Sequence, residues 1–259
     1  MHPLLDPSRR PVIGHRGNRA HAPEDTLVSF AQASALGVDA LEMDLHLSSD
    51  GVPVVIHDPT LDRTTDATGA VSDRSAAELG RVDAGARFSK DGGRTTPYRG
   101  LGIGVPTLES VLATHPLMPM ILEIKTVAAA QPVLSLLERM GATGRVLIGS
   151  FHDAALLPFA QAGIPVAGAV QALARLYLPA LMGLRWSTLP FQAMCIPRNF
   201  RGLPIPVARF AKLMRASGGP THVWTVNERT EARALWDAGV SGIISDDPGA
   251  MIAERGKAA

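Results

Sequence analysis

A chain of 259 residues, 46% of them hydrophobic, carries enough apolar mass for one large core, and its 25 Lys+Arg against 24 Asp+Glu leave a formal net charge of +1. That balance excludes a polycation built to hold nucleic acid, and no block of one sign suggests a charged tail. Cys195 is the single cysteine, which excludes an internal disulfide and a cysteine metal cluster.

In chain order, short apolar runs alternate with helical patterns. Residues 11–14 read as a first strand. Residues 25–37 read as a helix, with Leu27, Phe30, Ala31 and Leu36 near helical spacing and Gly37 as its stop. Residues 38–47 form a second strand and 118–125 a third, followed by a helix through Met140. A fourth strand over 145–150 leads to a helix over 153–162, and a fifth strand covers 165–170. A sixth spans 193–197 before a helix over 207–216. A seventh spans 222–226 before a helix over 229–238 closed by Gly239, and an eighth spans 242–245. Strands alternating with helices imply a parallel sheet. A count of eight favours one closed (β/α)8 barrel of the TIM type, a single domain over 1–259, whose function sits where strands end.

Two stretches break the rhythm. Residues 59–106 are rich in Gly, Asp, Thr and Arg, with one short helical pattern near 75–79, which is long for a βα loop. Residues 175–189 carry Leu176, Tyr177, Leu178, Leu181, Met182, Leu184 and Trp186, and read as a buried helix with a strand lead-in. A rim for a lipid tail is the competing reading. Cys195, in the run Ala193-Met194-Cys195-Ile196, reads as a buried small hydrophobe. The segment Met1-His2-Pro3-Leu4-Leu5-Asp6-Pro7 lacks the apolar run of a secretory leader, and no apolar stretch of about 18 residues follows. A cytoplasmic chain without a membrane span is expected.

The second strand carries the chemistry. Alternation puts Glu42, Asp44 and His46 on one face and Leu41, Met43, Leu45 and Leu47 on the other. In a barrel the apolar face packs against helices, so the carboxylates point into the mouth, where they need a cation. Asp50-Gly51 between two apolar runs signals a hairpin. Pairing Leu47 with Val52 sets His57 opposite Glu42, on the carboxylate face. His15 and Arg16 end the first strand. Glu123 and Lys125 share one face of the third. Three carboxylates make a hard oxygen site suited to Mg²⁺ or Ca²⁺. Arg16 and Lys125 supply the charge an anionic phosphate needs. Two histidines, His15 and His57, allow one general acid and one general base near neutral pH. His46, beyond Asp44, reads as structural or rim.

These residues fall in runs that resemble the glycerophosphodiester phosphodiesterase family. The runs are Gly14-His15-Arg16-Gly17, Ala22-Pro23-Glu24-Asp25-Thr26-Leu27, Glu42-Met43-Asp44, Val54-Val55-Ile56-His57-Asp58 and Leu61-Asp62-Arg63-Thr64-Thr65. Later ones are Leu122-Glu123-Ile124-Lys125, Val223-Trp224-Thr225-Val226-Asn227 and Gly242-Ile243-Ile244-Ser245-Asp246-Asp247-Pro248. The resemblance implies a barrel with a small subdomain inserted over 59–107, after the second strand. It implies a divalent cation on Glu42, Asp44 and Glu123, an acid–base pair of His15 and His57, phosphate on Arg16 and Lys125, and Trp224 at the mouth. The implied reaction splits a small-molecule glycerophosphodiester into an alcohol and glycerol 3-phosphate. Asp25 stands where the family usually has Asn, and Ser245 where Thr is common. Glu24 reads as a helix-start carboxylate. The competing readings are a lysophospholipase D or sphingomyelinase D-like enzyme on the same scaffold, and a non-catalytic barrel that binds a phosphorylated ligand.

Overall fold

The computed structural model describes residues 3–168, 170–183 and 189–257. Its strands are β1 (Val12–His15), β2 (Ala40–Leu47), β3 (Pro53–Val55), β4 (Met120–Ile124), β5 (Val146–Gly149), β6 (Ala167–Gly168), β7 (Ala193–Pro197), β8 (Asn199–Phe200), β9 (Leu203–Pro204), β10 (Thr221–Trp224) and β11 (Gly242–Ser245). Eight of them run parallel in the order β5-β4-β2-β1-β11-β10-β7-β6. A parallel bridge from Ile148 to Val166 joins the two ends, and Ile148 N–H donates to Pro165 O at 3.0 Å. The ring is thus a nearly closed barrel. The helices α1 (Leu27–Ala35), α2 (Ala76–Leu79), α3 (Leu108–Thr114), α4 (Ala130–Arg139), α5 (Asp153–Gln161), α6 (Val170–Met182), α7 (Val207–Ala216), α8 (Arg229–Asp237) and α9 (Pro248–Arg255) alternate with the strands.

The period-2 alternation of each strand splits its side chains between two cores. Leu41, Met43 and Leu45 of β2 join Leu122, Ile124, Phe30 and Val133 in the layer between sheet and helices. Ile13, Ala40, Ile121, Leu147, Ala167, Ala193 and Ile244 fill the barrel interior, where Leu4 packs against them. Three of these interior residues are alanines, which leaves room above them for the polar side chains of the mouth. Several helix starts are capped by a side chain. Thr26 accepts from Ser29 N–H at the head of α1, and Asp247 accepts from Ala250 N–H at the head of α9.

The expected elements recur with shifted ends. The fifth strand shortens to Ala167–Gly168, and α6 begins already at Val170. Helix α1 starts at Leu27, because Asp25 takes a φ of +57° that no α-helix accommodates. The β2–β3 hairpin is one residue out of the expected register: Leu47 pairs with Pro53 and Leu45 with Val55. A turn that closes through Ser48, whose N–H donates to Val52 O at 3.1 Å, sets this register. His57 therefore lies beyond the end of β3 and does not face Glu42 across a ladder. The expectation of a buried helix over 175–189 is also corrected. Leu176 and Ala180 are buried, but Leu178 is 67% and Met182 70% exposed. Leu184 and Trp186 lie outside the described residues. Among those residues no helix is long and apolar enough to cross a membrane.

Residues 59–107 pack around a small core of their own, in which Leu61, Val71, Leu79, Val82 and Val105 meet Val54 and Ile56 of the hairpin. The segment is mostly turns, with α2 closed by a capping box between Ser75 and Glu78. It sits over the hairpin, beside the barrel mouth.

Candidate active site

Register brings the polar groups together. His15 of β1 pairs with Glu42 of β2, and Asp44 of β2 pairs with Glu123 of β4. A cavity of about 170 Å³ opens at this end of the barrel. His15, Arg16, Glu42, Asp44, His57, Glu123, Lys125 and Trp224 all line it. Every residue singled out for the site from the sequence thus reaches one cavity. The rest of the wall is mostly apolar and includes Phe151, Leu173, Pro197 and Phe200. Trp224 meets Phe151 edge to face, with ring centroids 6.1 Å apart.

The β1–α1 loop holds Arg16. Ser29 of α1 donates its hydroxyl to Arg16 O at 2.9 Å and accepts from Asn18 N–H at 2.8 Å. Gly17 lies between them with a φ of +87°, and a Cβ there would stand 2.4 Å from Ser29 Oγ, so only glycine fits. Arg16 N–H donates to Glu42 Oε2 at 3.0 Å. Its guanidinium bonds Glu24 Oε1 at 2.7 Å.

Glu42, Asp44 and Glu123 each offer an oxygen, and these oxygens lie within 4.8 Å of one another. Lys125 Nζ stands 2.7 Å from Asp44 Oδ1 and 2.5 Å from Glu123 Oε1. Arg16 Nε comes within 2.8 Å of Asp44 Oδ2. The pair is not aligned as a hydrogen bond, and both atoms are buried without a hydrogen-bond partner among the described residues. A buried carboxylate with one oxygen lacking an aligned hydrogen bond, grouped with two further carboxylates, suits a hard divalent cation. The charges agree. Burial, then Asp44 and Glu123, push the Glu42 carboxyl up to about 7 against the pull of His15 and Arg16. Burial acts the same way on Asp44, but Lys125 and Arg16 outweigh it and hold Asp44 below its ordinary value. Lys125, desolvated yet flanked by Asp44 and Glu123, is raised to about 12. A cluster that forces a proton onto one carboxyl is short of positive charge.

Both histidines lean on carboxylates. His15 Nδ1 lies 2.6 Å from Asp246 Oδ1, and His57 Nδ1 lies 2.5 Å from Asp58 Oδ1. Asp246 is held below its usual range, because the hydrogen bond and charge of His15 outweigh burial. Arg63 holds Asp58 down at about 2. Ionised carboxylates only accept, so each ring carries its proton on Nδ1 and keeps Nε2 for other work. His15 Nε2 is 3.9 Å from Glu42 Oε2, so it faces the carboxylate cluster.

Several contributors escaped the sequence reading as site residues. Asp246 and Asp58 sit in quoted runs; Asp246 immediately follows β11 and Asp58 immediately follows His57, which was the available signal. Asn227 donates to Asp246 Oδ2 at 3.0 Å and accepts from Asp246 N–H at 2.9 Å, fixing that side chain. Glu24 is more than a helix-start carboxylate: Arg16, Arg19 and Arg63 all bond it, and they hold it well below the usual range despite burial. His46 Nε2 lies 3.1 Å from His57 O, against the backbone of the second histidine. Cys195 departs from expectation, because it lines the cavity instead of lying in solid core. Burial, with Glu42 and Glu123 nearby, raises its thiol well above normal, so it stays a neutral wall group.

Residues 15–250 match the model of the glycerophosphoryl diester phosphodiesterase family. A glycerophosphodiester phosphodiesterase of Bacillus subtilis is 30% identical over 261 residues, covering 95% of this chain and 86% of that protein. Among solved structures, the glycerophosphoryl diester phosphodiesterase domain of a Mycobacterium tuberculosis protein superposes with a TM-score of 0.80 at 23% identity, over 96% of this chain and 100% of that one. A phosphodiesterase from Oleispira antarctica, solved with the product sn-glycerol-3-phosphate, superposes with a TM-score of 0.73 at 25% identity, covering 96% and 97%. Barrel and site together define a phosphoric diester hydrolase, which sets aside the non-catalytic reading. The chain belongs to the glycerophosphodiester phosphodiesterase family.

Proposed function

We propose that this enzyme hydrolyses small glycerophosphodiesters to an alcohol and glycerol 3-phosphate, with one divalent cation, Mg²⁺ or Ca²⁺, on Glu42, Asp44 and Glu123. The observation that carries the reading is the convergence of three carboxylates, two cations and two carboxylate-backed histidines on one cavity. The bound cation supplies Lewis-acid polarisation of a phosphoryl oxygen. Arg16 and Lys125 bind the diester's anionic oxygens and orient phosphorus for in-line attack. One of His15 and His57 takes a proton on its Nε2 from the water whose oxygen attacks phosphorus. The other delivers a proton to the oxygen of the departing alcohol as its bond to phosphorus breaks. Trp224, edge to face with Phe151, forms part of the wall beside the reacting centre and limits its contact with bulk solvent. Residues 59–107 act as an inserted subdomain whose Arg63 reaches Asp58 and Glu24 behind the cavity.

Release of glycerol 3-phosphate from glycerophosphocholine and glycerophosphoethanolamine tests this, with EDTA, with added Mg²⁺ or Ca²⁺, and with His15→Ala and His57→Ala. Metal-dependent release lost in both variants supports the reading; no release from either diester with either metal overturns it.

The apolar half of the cavity wall, formed by Phe151, Leu173, Pro197 and Phe200, favours a second reading: a lysophospholipase D or sphingomyelinase D-like preference for alkyl-bearing diesters. Faster turnover of micellar lysophosphatidylcholine than of glycerophosphocholine would select it.

A further inference from the structure

The two histidines are the ends of one continuous chain of ion pairs. From His15 it runs to Asp246 at 2.6 Å. Asp246 accepts from Arg19 Nη1 at 3.4 Å, and Arg19 Nε donates to Glu24 Oε2 at 2.9 Å. Arg63 Nη1 and Nη2 then fork onto Glu24 Oε2 and Oε1 at 3.0 and 2.7 Å. The same guanidinium turns Nε and Nη2 onto Asp58 Oδ2 and Oδ1, at 2.6 and 3.1 Å. Asp58 Oδ1 meets His57 Nδ1 at 2.5 Å. Between the histidines the charges alternate without a break.

Arg63 is the link that comes from the inserted segment. Ion pairs at partly exposed positions contribute little to stability when they stand alone. This one differs in geometry. One planar guanidinium holds two carboxylates at once, each through two N–H groups, and a flexible ammonium cannot reproduce such a fork. One carboxylate sets the ring of His57. The other, Glu24, also holds Arg16, which lines the cavity beside His15. The rotamers of groups that must meet one phosphate thus share a brace.

We propose that Arg63 is a positioning residue for catalysis. It clamps Asp58 and Glu24 so that His57 and, through Glu24, Arg16 and the Arg19–Asp246–His15 limb stay aligned on the scissile phosphate. This rests on the acid–base reading of His15 and His57. Partners beyond a site's direct ligands commonly carry losses of 10- to 100-fold when removed.

The test is a double-mutant cycle on the full chain, with saturating metal and glycerophosphocholine as substrate. Arg63→Ala is expected to lower kcat about 10- to 100-fold with KM changed by less than about threefold. Arg63→Lys is expected to lose nearly as much, since it keeps the charge and loses the fork. Free guanidinium ion added to Arg63→Ala is expected to restore part of kcat. In a His57→Ala background, Arg63→Ala is expected to cost clearly less than in the wild type, because the His57 limb of the brace is gone and only the Glu24 limb remains. The inference is overturned if Arg63→Lys keeps wild-type kcat, or if Arg63→Ala costs the same with and without His57. Should Arg63→Ala not fold, Arg63→Lys in both backgrounds carries the cycle. If His57→Ala itself keeps wild-type kcat, the acid–base reading fails first and takes this inference with it, an outcome distinct from a null effect at Arg63 alone.

Discussion

His15 Nδ1 and Asp246 Oδ1 stand 2.6 Å apart although 231 positions separate the two residues in the chain. They meet because β1 and β11 are neighbours, with Gly14 beside Ser245. Asp246 therefore emerges from the last strand next to the end of the first. The contact assigns the proton of His15 to Nδ1 and turns Nε2 toward Glu42.

Asp246→Asn keeps the shape and removes the charge that favours this tautomer. It is expected to lower kcat about 100-fold or more with little change in KM, the pattern of a group needed in the transition state. Steady-state kinetics on glycerophosphocholine measure it. An unchanged kcat would show that His15 needs no such partner.

Metal removal has a readout independent of turnover. Glu42, Asp44 and Glu123 crowd their oxygens within 4.8 Å, so the metal-free fold carries their mutual repulsion. Saturating Mg²⁺ or Ca²⁺ is expected to raise the melting temperature by several degrees, since a cation at about 100 times its Kd contributes ~2.7 kcal/mol. Glu123→Gln should abolish most of that rise while leaving a folded protein. A rise of the same size in the variant would place the cation elsewhere.

Glu42 makes the metal-free protein sensitive to pH. Its carboxyl is raised in the fold to about 7, from an ordinary 4.5. Between those values the folded state keeps a proton that the unfolded state has lost. Stability therefore falls as pH rises through this window and levels off above it. Metal binding runs the other way, because the ligand must shed that proton: affinity should weaken about tenfold per pH unit below about 7. Calorimetric titration between pH 5.5 and 8 reads the slope, and Glu42→Gln should flatten the stability profile of the metal-free protein. A flat profile in the wild type would mean that Glu42 is already ionised there.

Gly17, in the loop before α1, and Gly37, just after that helix, together test how far the first loop is shaped by steric necessity. Both have positive φ, but a Cβ on Gly17 would lie 2.4 Å from Ser29 Oγ and 2.6 Å from Ser29 C, whereas one on Gly37 meets nothing within 4 Å. Gly17→Ala is expected to cost about 3 kcal/mol or more and to depress activity through Arg16. Gly37→Ala should cost only about 1 kcal/mol, the strain of the backbone alone. Urea unfolding of both variants distinguishes them. Equal costs would mean that the Ser29 side of the loop gives way.

Much of the site was legible because strand periodicity is local. The alternation in Glu42-Met43-Asp44 and in Glu123-Ile124-Lys125 states which side chains share a face, and the barrel keeps that assignment. His57 was found for a partly wrong reason. The expected register put it opposite Glu42, but the ladder runs one residue differently, and His57 reaches the cavity from beyond the strand. Register depends on how the turn at Ser48 closes, which alternation does not encode. The segment carrying Leu178 and Met182 looked like core by composition, yet it exposes both, because apolar content alone does not say which helix face meets the sheet.

By itself the sequence determined the alternation of strands and helices, the family, and the charged residues of the mouth, because periods of 2 and 3.6 and short runs are properties of neighbours in the chain. Only the tertiary structure decided that Asp246 backs His15, that Asp58 and Glu24 share Arg63, and that Asp44 keeps a buried oxygen beside Arg16 without an aligned hydrogen bond. Those relations span strand ends and an inserted segment far apart in the chain. They exist only once the barrel has closed and excluded water, which is what makes each unpaired charge costly and each pairing specific.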